Sequence, residues 1–317
     1  GIALFALTSA ACFFATSVHM LMVLRTLQAL GCGACVVMAR AAARDLFPPS
    51  ELPRMMSKMS LITMTAPLLA PSIGALCLYL TGWRSIFAVL TVIALSAGYM
   101  VYQHVPETHK PDKTHGLHLG GVLRQYYALL NDGYNLRLMI CMAAAMSGMF
   151  AFISGSPFVY TQLLGYTELQ FALLFGSNII AMSLVTSLNL YLLQRFEATL
   201  LMRYQAAVLA LAGLGLVIVA ALGQLSYIIP LVIVYVAHVN ALCANGMAVL
   251  LRRHQPQQAG SLTALAVSLQ FGIAAVSTSL VATFSHSPAL AMTGVMGMFA
   301  LIAIVCAYKV HANHIHA

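Results

Sequence analysis

A series of long apolar segments constrains the fold of this chain more than any other feature. A helix that crosses a bilayer needs about 20 mainly apolar residues, and roughly ten stretches of the chain meet that requirement. They are the windows 1–17, 20–44, 55–80, 84–104, 136–159, 169–193, 204–222, 226–250, 261–284 and 288–308. Backbone polar groups cannot stay unpaired in lipid, so segments of this length form helices. The sequence therefore predicts an all-α membrane protein with about ten transmembrane helices.

Composition and charge support this class. Hydrophobic residues make up 61% of the chain and charged residues only 7%, whereas a soluble protein carries about 25% charged residues. The net charge of +8 does not indicate a nucleic-acid partner, because the cations are not gathered on one surface. They lie in alternate connections between the apolar windows, which is the pattern of cytoplasmic loops in a multi-pass membrane protein.

One polar stretch divides the chain. Residues 105–135 combine prolines, charges and histidines, which favours a cytoplasmic linker, with a short surface helix near 122–130. Four apolar windows precede it in residues 1–104, and six follow it in residues 136–317, which end in a short cytoplasmic tail. Because transporter folds often pair two six-span halves, we expect residues 1–104 to be the remainder of an N-terminal bundle, with two further spans before residue 1.

Arg25 is a charged residue inside an apolar window. A charge at such a depth costs at least about 2.5–3.5 kcal/mol, so it normally faces a protein interior or a water-filled path. Gln28 lies three residues further on, on the same helical face. We expect both to serve proton coupling or to organise the structure. The alternatives are an arginine that extends to the outer interface and a glutamine that only bridges two helices.

The third window carries two prolines and a glycine that predict a bent helix. Pro67 and Pro71 each remove an intrahelical hydrogen bond, and Gly74 allows close approach of another helix. The functional interpretation is a kink that seals the transport path, and the alternative is a static structural kink.

Polar side chains within the later windows are candidates for lining a substrate cavity. Buried polar groups need partners, so each can instead bridge two helices. The candidates are Ser154, Ser156, Tyr160, Asn178, His238, Asn240, Asn245 and Gln270. All seven acids lie in connections or at span ends, and the converging acids, bases or metal ligands of an embedded enzyme are not evident. The sequence therefore predicts neither a catalytic nor a metal site.

Several motifs together resemble one transporter family. Arg25-Thr26-Leu27-Gln28 followed by Gly31 is similar to the fourth-helix motif of the drug:proton antiporters of the major facilitator superfamily, and residues 66–74 are similar to their fifth-helix motif. Further short motifs resemble the bicyclomycin-resistance branch. These are Arg44-Asp45-Leu46, Arg54-Met55-Met56-Ser57, Trp83 with Phe87, Glu107-Thr108, Ser156-Pro157-Phe158-Val159-Tyr160, Asn245 with Met247-Ala248-Val249, Ala259-Gly260-Ser261 and Gln270-Phe271-Gly272.

The resemblance implies a fold and a function. The expected fold is the helical bundle of that superfamily, here with family helices three to twelve and without the first two. The expected function is multidrug efflux by alternating access, in which protons are exchanged for small hydrophobic or amphiphilic drugs of the bicyclomycin or chloramphenicol type. The proton gradient supplies the energy, no cofactor is needed, and the location is the bacterial inner membrane.

The resemblance also bears on the remaining motif and on the alternatives. Arg44 and Asp45 belong to a cytoplasmic loop motif. One alternative is that the chain is an N-terminally truncated, transport-incompetent fragment of such an exporter. An embedded membrane enzyme is a second alternative.

Overall fold

The computed structural model describes residues 1–48, 51, 55, 59, 70, 73–74, 76–106, 119–254, 258–284 and 287–310. The chain divides into two compact units, Gly1–Gly116 and Leu117–Ala317. Within the described residues, the regular structure of both units is entirely helical.

Unit 1 contains three fully described helices, α1 (Ile2–Phe13), α2 (Val18–Leu46) and α3 (Arg84–His104). Helix α2 begins after Ser17, whose hydroxyl accepts a hydrogen bond from the Met20 amide at 3.1 Å, as a typical N-cap does. Helix α1 packs against both α2 and α3. The two helices α1 and α2 approach closely at Gly31, where an added β-carbon would lie 2.8 Å from the backbone nitrogen of Phe5. A small residue is what lets two membrane helices approach to this distance.

Unit 2 is a bundle in which α5 occupies the centre. Its helices are α4 (Leu119–Asn131), α5 (Gly133–Pro157), α6 (Glu168–Leu192), α7 (Ala198–Ala221), α8 (Ile228–Arg252), α9 (Ala259–Thr283) and α10 (Pro288–Tyr308). A π-helical segment, Phe158–Leu163, continues α5. Helix α5 packs against α8, α9 and α10; α7 packs against α8 and α10, and α6 against α8.

Side chains in the connections fix where two of these helices begin. The Asp132 carboxylate accepts a hydrogen bond from the Tyr134 amide at 2.8 Å and starts α5. Thr167 and Gln170 form a capping box at the start of α6, which satisfies two backbone donors reciprocally. Gly165 precedes this box with a φ of +71°, a left-handed conformation that glycine adopts without strain.

Small residues let the central helices of unit 2 pack closely. Gly148 of α5 faces Tyr235 of α8, and an added β-carbon would lie 2.7 Å from the tyrosine Cζ. Gly213 of α7 faces Gly297 of α10, where an added β-carbon at Gly213 would lie 3.2 Å from the Gly297 Cα. Such small-residue crossings are typical of helix packing in membranes.

The described helices confirm the predicted all-α membrane architecture. Eight of them are long and apolar enough to cross a bilayer, and the window 84–104 coincides with α3. Helix α1 is apolar but has only 12 residues, so it is shorter than the predicted window 1–17. The window 55–80 lies mostly outside the described residues. A short helix, α4, is present where residues 122–130 predict one.

Candidate functional site

In unit 1, a line of hydrogen bonds joins Arg25 to a neighbouring helix. Arg25 Nη1 donates to Gln28 Oε1 at 2.6 Å, and Gln28 Nε2 donates to Ser9 Oγ at 2.6 Å. Ser9 belongs to α1, whereas Gln28 and Arg25 belong to α2. Gln28 is 2% exposed and Ser9 is fully buried, while Arg25 is exposed. The structure thus brings the two predicted residues together and adds Ser9, which the sequence analysis did not single out.

An aromatic ring from α3 also contacts Arg25. Its guanidinium carbon lies 5.9 Å from the centroid of the Phe87 ring, within the range of a cation–π interaction. Within the described part of the chain, the one ion pair joins Arg253 to Asp132, so no described carboxylate neutralises Arg25. A guanidinium has five N–H donors, and the glutamine occupies one of them. With respect to the described residues, Arg25 therefore retains donors that can bind an acceptor.

In unit 2, three buried amide side chains form a closed cluster. Asn189 Nδ2 donates to Asn245 Oδ1 at 3.1 Å, and Asn245 Nδ2 donates to Asn189 Oδ1 at 2.8 Å and to Gln205 Oε1 at 3.0 Å. Gln205 Nε2 completes the set by donating to Asn189 Oδ1 at 2.9 Å. The three residues come from α6, α8 and α7, so the cluster joins three helices. Asn245 thus bridges helices here, and a role for it in lining a cavity stays a prediction.

A second group in unit 2 combines aromatic rings with unpaired hydroxyls. The buried ring of Phe152 on α5 stacks on Phe175 of α6 with centroids 5.6 Å apart, and Tyr160 lies 5.9 Å from Phe171. The Ser156 and Tyr160 hydroxyls are buried and have no hydrogen-bond partner among the described residues. Most buried polar groups are paired, so these two hydroxyls retain free hydrogen-bonding capacity.

The π-helical segment lies at this group. It follows Pro157, and the Leu164 amide donates to Val159 O at 3.0 Å, a bond that spans five residues. Tyr160 lies within the segment. Segments of this kind occur frequently at functional sites.

The other predicted lining residues have separate environments. Asn178 is buried and donates to Leu174 O, while its Oδ1 is unpaired among the described residues. Asn240 donates to Thr186 Oγ1 at 3.2 Å. His238 contacts the carbonyl of Val234 on its own helix. Ser154 is half-buried and Gln270 is buried.

The structure describes two of the predicted motifs only in part. Pro67 and Pro71 lie outside the described residues. Gly74 is helical, and an added β-carbon would meet no atom within 4 Å. Arg44 and Asp45 lie in the last turn of α2, but their side chains lie outside the described part of the structure. Their predicted roles stay predictions.

A polar cluster marks the end of unit 2 where α5 begins and α8 ends. Arg253 Nη1 lies 3.3 Å from Asp132 Oδ2, and the Arg253 guanidinium stacks 4.7 Å from the Tyr134 ring centroid. His254 Nε2 contacts Asn135 Oδ1 at 3.0 Å. Across the described ranges, no group of three or more His, Cys, Asp or Glu side chains could hold a metal ion.

The sequence pattern of the Major Facilitator Superfamily matches residues 1–278. The chain belongs to this superfamily of membrane transporters, which confirms the predicted resemblance at the level of the superfamily. Membership in a family of transporters excludes the embedded-enzyme alternative.

Individual relatives and structures agree with this assignment. The chain is 30% identical over 309 residues to a bicyclomycin resistance protein homolog of Haemophilus influenzae, covering 97% of this chain and 77% of that protein. It is 32% identical over 169 residues to a chloramphenicol resistance protein of Pseudomonas aeruginosa, covering 53% of this chain and 39% of that protein. The crystal structure of a D-xylose-proton symporter matches with a TM-score of 0.71 at 18% identity, covering 98% of this chain and 79% of that one. At this identity, the structural match supports the fold alone.

Proposed function

We propose that this chain exports small, uncharged, hydrophobic or amphiphilic drugs across the bacterial inner membrane in exchange for protons, by alternating access. One observation carries the proposal: the 30% identity to a bicyclomycin resistance protein homolog extends over 97% of the chain. The partial match to a chloramphenicol resistance protein supports the same class of substrate. The coupling of drug export to an inward movement of protons is a further part of the proposal.

The interior of unit 2 supports uncharged substrates. Apart from tyrosine, its described buried polar side chains are all asparagine, glutamine, serine or threonine, so none of the described residues supplies a buried charge to pair with a charged drug. The free Ser156 and Tyr160 hydroxyls beside Phe152 and Phe171 combine hydrogen-bonding groups with aromatic surface. Ligand sites of proteins commonly consist of such apolar surface with a few polar groups.

Proton coupling is assigned to the region of Arg25. Every acid of the chain lies in a predicted connection or at the end of a predicted span, whereas Arg25 lies within an apolar part of α2. A permanently charged guanidinium with free donors can hold a carboxylate or order water next to a proton carrier. In this proposal the kink of Pro67, Pro71 and Gly74 limits leakage, and Arg44 with Asp45 belongs to a cytoplasmic loop motif.

The proposed organisation follows the same scheme. Residues 1–104 belong to the N-terminal helical bundle, residues 105–135 to a cytoplasmic linker, and residues 136–317 to the C-terminal six-helix bundle. This scheme rests on the alternation of basic and neutral connections.

Drug susceptibility tests the proposal directly. The full-length gene product, expressed in a bacterial host that lacks its own exporters, should raise the inhibitory concentrations of chloramphenicol and bicyclomycin several-fold. Accumulation of radiolabelled chloramphenicol should fall and be restored by an uncoupler. Unchanged susceptibility to both drugs, with the protein detected in the inner membrane, would contradict the proposal.

A pair of tyrosine variants tests the assigned lining. Tyr160→Phe removes a free hydroxyl and keeps the ring, so it should change the relative resistance to the two drugs. Tyr235→Phe is the matched control, because the Tyr235 hydroxyl is equally buried but already donates to Met296 O at 3.3 Å. Equal resistance profiles for the two variants would remove Tyr160 from the substrate site.

A further inference from the structure

We infer that Ser9 is a positioning residue for Arg25 and acts through the side chain of Gln28. The inference rests on the proposed role of Arg25 in proton coupling. Ser9 lies on α1 and is linked to the guanidinium by hydrogen bonds only through Gln28, so its effect depends on the amide between them.

The hydroxyl of Ser9 has one hydrogen, and a backbone carbonyl fixes where that hydrogen points. Ser9 Oγ lies 2.7 Å from the carbonyl oxygen of Phe5. A carbonyl can only accept, so the hydroxyl must donate to it. The Ser9 oxygen is then left as an acceptor. The group 2.6 Å away on Gln28 must therefore be the amide NH₂.

This arrangement sets which end of the Gln28 amide faces Arg25. With its NH₂ turned toward Ser9, the amide presents Oε1 to Arg25 Nη1 at 2.6 Å. In the opposite orientation the NH₂ would face a guanidinium, and both groups are donors. Ser9 thus selects the one amide orientation that can accept a hydrogen bond from the arginine.

Because Ser9 and Gln28 are both buried, the orientation of the Gln28 amide depends on the Ser9 hydroxyl. Ser9 is fully buried and Gln28 is 2% exposed, so bulk water cannot replace a lost partner. The Arg25 guanidinium also lies against the Phe87 ring, which attracts the charge without fixing its rotation. The Ser9–Gln28 pair is therefore what orients the guanidinium.

Thr8 provides a matched control on the same helix. It is also buried, at 5% exposed, but the one hydrogen of its hydroxyl is shared between Leu4 O at 2.7 Å and Phe5 O at 3.2 Å. Both acceptors belong to its own helix. Ser9→Ala and Thr8→Val each remove one buried hydroxyl oxygen, and only the first removes a partner of Gln28.

The test compares two transport modes of the full-length gene product in liposomes, with radiolabelled chloramphenicol as the probe. One mode is uptake driven by a proton gradient, and the other is exchange of labelled for unlabelled drug without a gradient. Ser9→Ala should lower the ratio of driven uptake to exchange about fivefold, as loss of one hydrogen bond would. Thr8→Val and the conservative Ser9→Thr should keep the wild-type ratio. A fall in both modes together, or no fall in Ser9→Ala, would overturn the inference.

Arg25→Ala separates this inference from the proposed function. If Arg25→Ala leaves the ratio unchanged, the proposed coupling role of Arg25 is wrong. If it abolishes driven uptake while Ser9→Ala does not change it, only the inference about Ser9 is wrong.

If the wild-type protein does not transport chloramphenicol, a measurement that needs no substrate still tests whether Ser9 acts through Gln28. In thermal unfolding of the purified protein, Ser9→Ala and Arg25→Ala should be non-additive in the wild-type background. They should become additive once Gln28→Leu removes the amide. Additivity in both backgrounds would contradict an action of Ser9 through Gln28.

Discussion

Replacing Gly31 with alanine is expected to push α1 away from α2 and to disturb the Arg25 hydrogen-bond line. The added β-carbon would lie 2.8 Å from the Phe5 nitrogen and 3.2 Å from the Phe5 Cα. These are backbone atoms, so no side-chain rotation relieves the contact. The two backbones must separate by about 0.6 Å to reach the ordinary contact distance of 3.4 Å. Ser9 lies one helical turn beyond Phe5, so its 2.6 Å bond to Gln28 should lengthen.

Two opposing contributions to the free energy of unfolding set the size of the effect of Gly31→Ala. Overpacking of a tight site costs about 1–3 kcal/mol, and alanine recovers up to about 1 kcal/mol over glycine through helix propensity. If the full propensity gain is realised, the expected net loss is about 0–2 kcal/mol, which corresponds to a fall in melting temperature of up to a few degrees.

Gly33→Ala is the matched control for this prediction. Gly33 lies on the same helix, is exposed, and an added β-carbon there would meet no atom within 4 Å. This variant should be as stable as wild type or slightly more stable. The assay is thermal loss of helical circular dichroism in detergent, together with gradient-driven drug uptake. If Gly31→Ala matches Gly33→Ala in both measurements, the close approach of α1 and α2 is wrong.

Three further predictions concern unit 2 and use the same thermal assay. Gly148→Ala should destabilise the protein by about 1–3 kcal/mol, because its methyl group would meet the buried Tyr235 ring; wild-type stability would contradict that contact. Asn245→Leu should cost about 1–3 kcal/mol because Asn189 Nδ2 and Gln205 Oε1 lose their partner while staying buried, and a neutral result would show that the amide cluster does not hold the helices. Asp132→Asn should cost less than about 1 kcal/mol, because the ion pair with Arg253 is partly exposed, whereas Asp132→Ala should cost about 1 kcal/mol more through loss of the α5 cap. Equal losses in the two Asp132 variants would assign the effect to the ion pair.

The helices were predictable because the free-energy cost of unpaired backbone polar groups in lipid dominates the folding of a membrane chain. Long apolar runs must satisfy their backbone hydrogen bonds internally, so windows such as 84–104 and 288–308 coincide with α3 and α10. The shortness of α1 was not predictable from hydropathy. Residues 14–17 are as apolar or small as those before them, and the Ser17 cap restarts the helix at Val18.

The partners of the polar residues were much less predictable. The spacing of Arg25 and Gln28 places them on one face, and the structure joins them. Ser9 and Gln205 escaped notice because a lone serine or glutamine in an apolar run carries no signal of which helix it will meet. The π-helical segment beyond Pro157 packs against α6 and α10, and a proline alone does not specify it.

The central claim is most directly tested by the exchange of drug for protons in a closed vesicle. Chloramphenicol is added to liposomes that contain the full-length gene product, an acidic lumen and a trapped pH-sensitive dye. The account predicts drug uptake with a simultaneous rise of lumenal pH beyond passive leak. Arg25→Ala should abolish both, and an uncoupler added beforehand, which itself dissipates the pH gradient, should abolish the drug uptake. Drug uptake that leaves the lumenal pH unchanged and is insensitive to the uncoupler would contradict it.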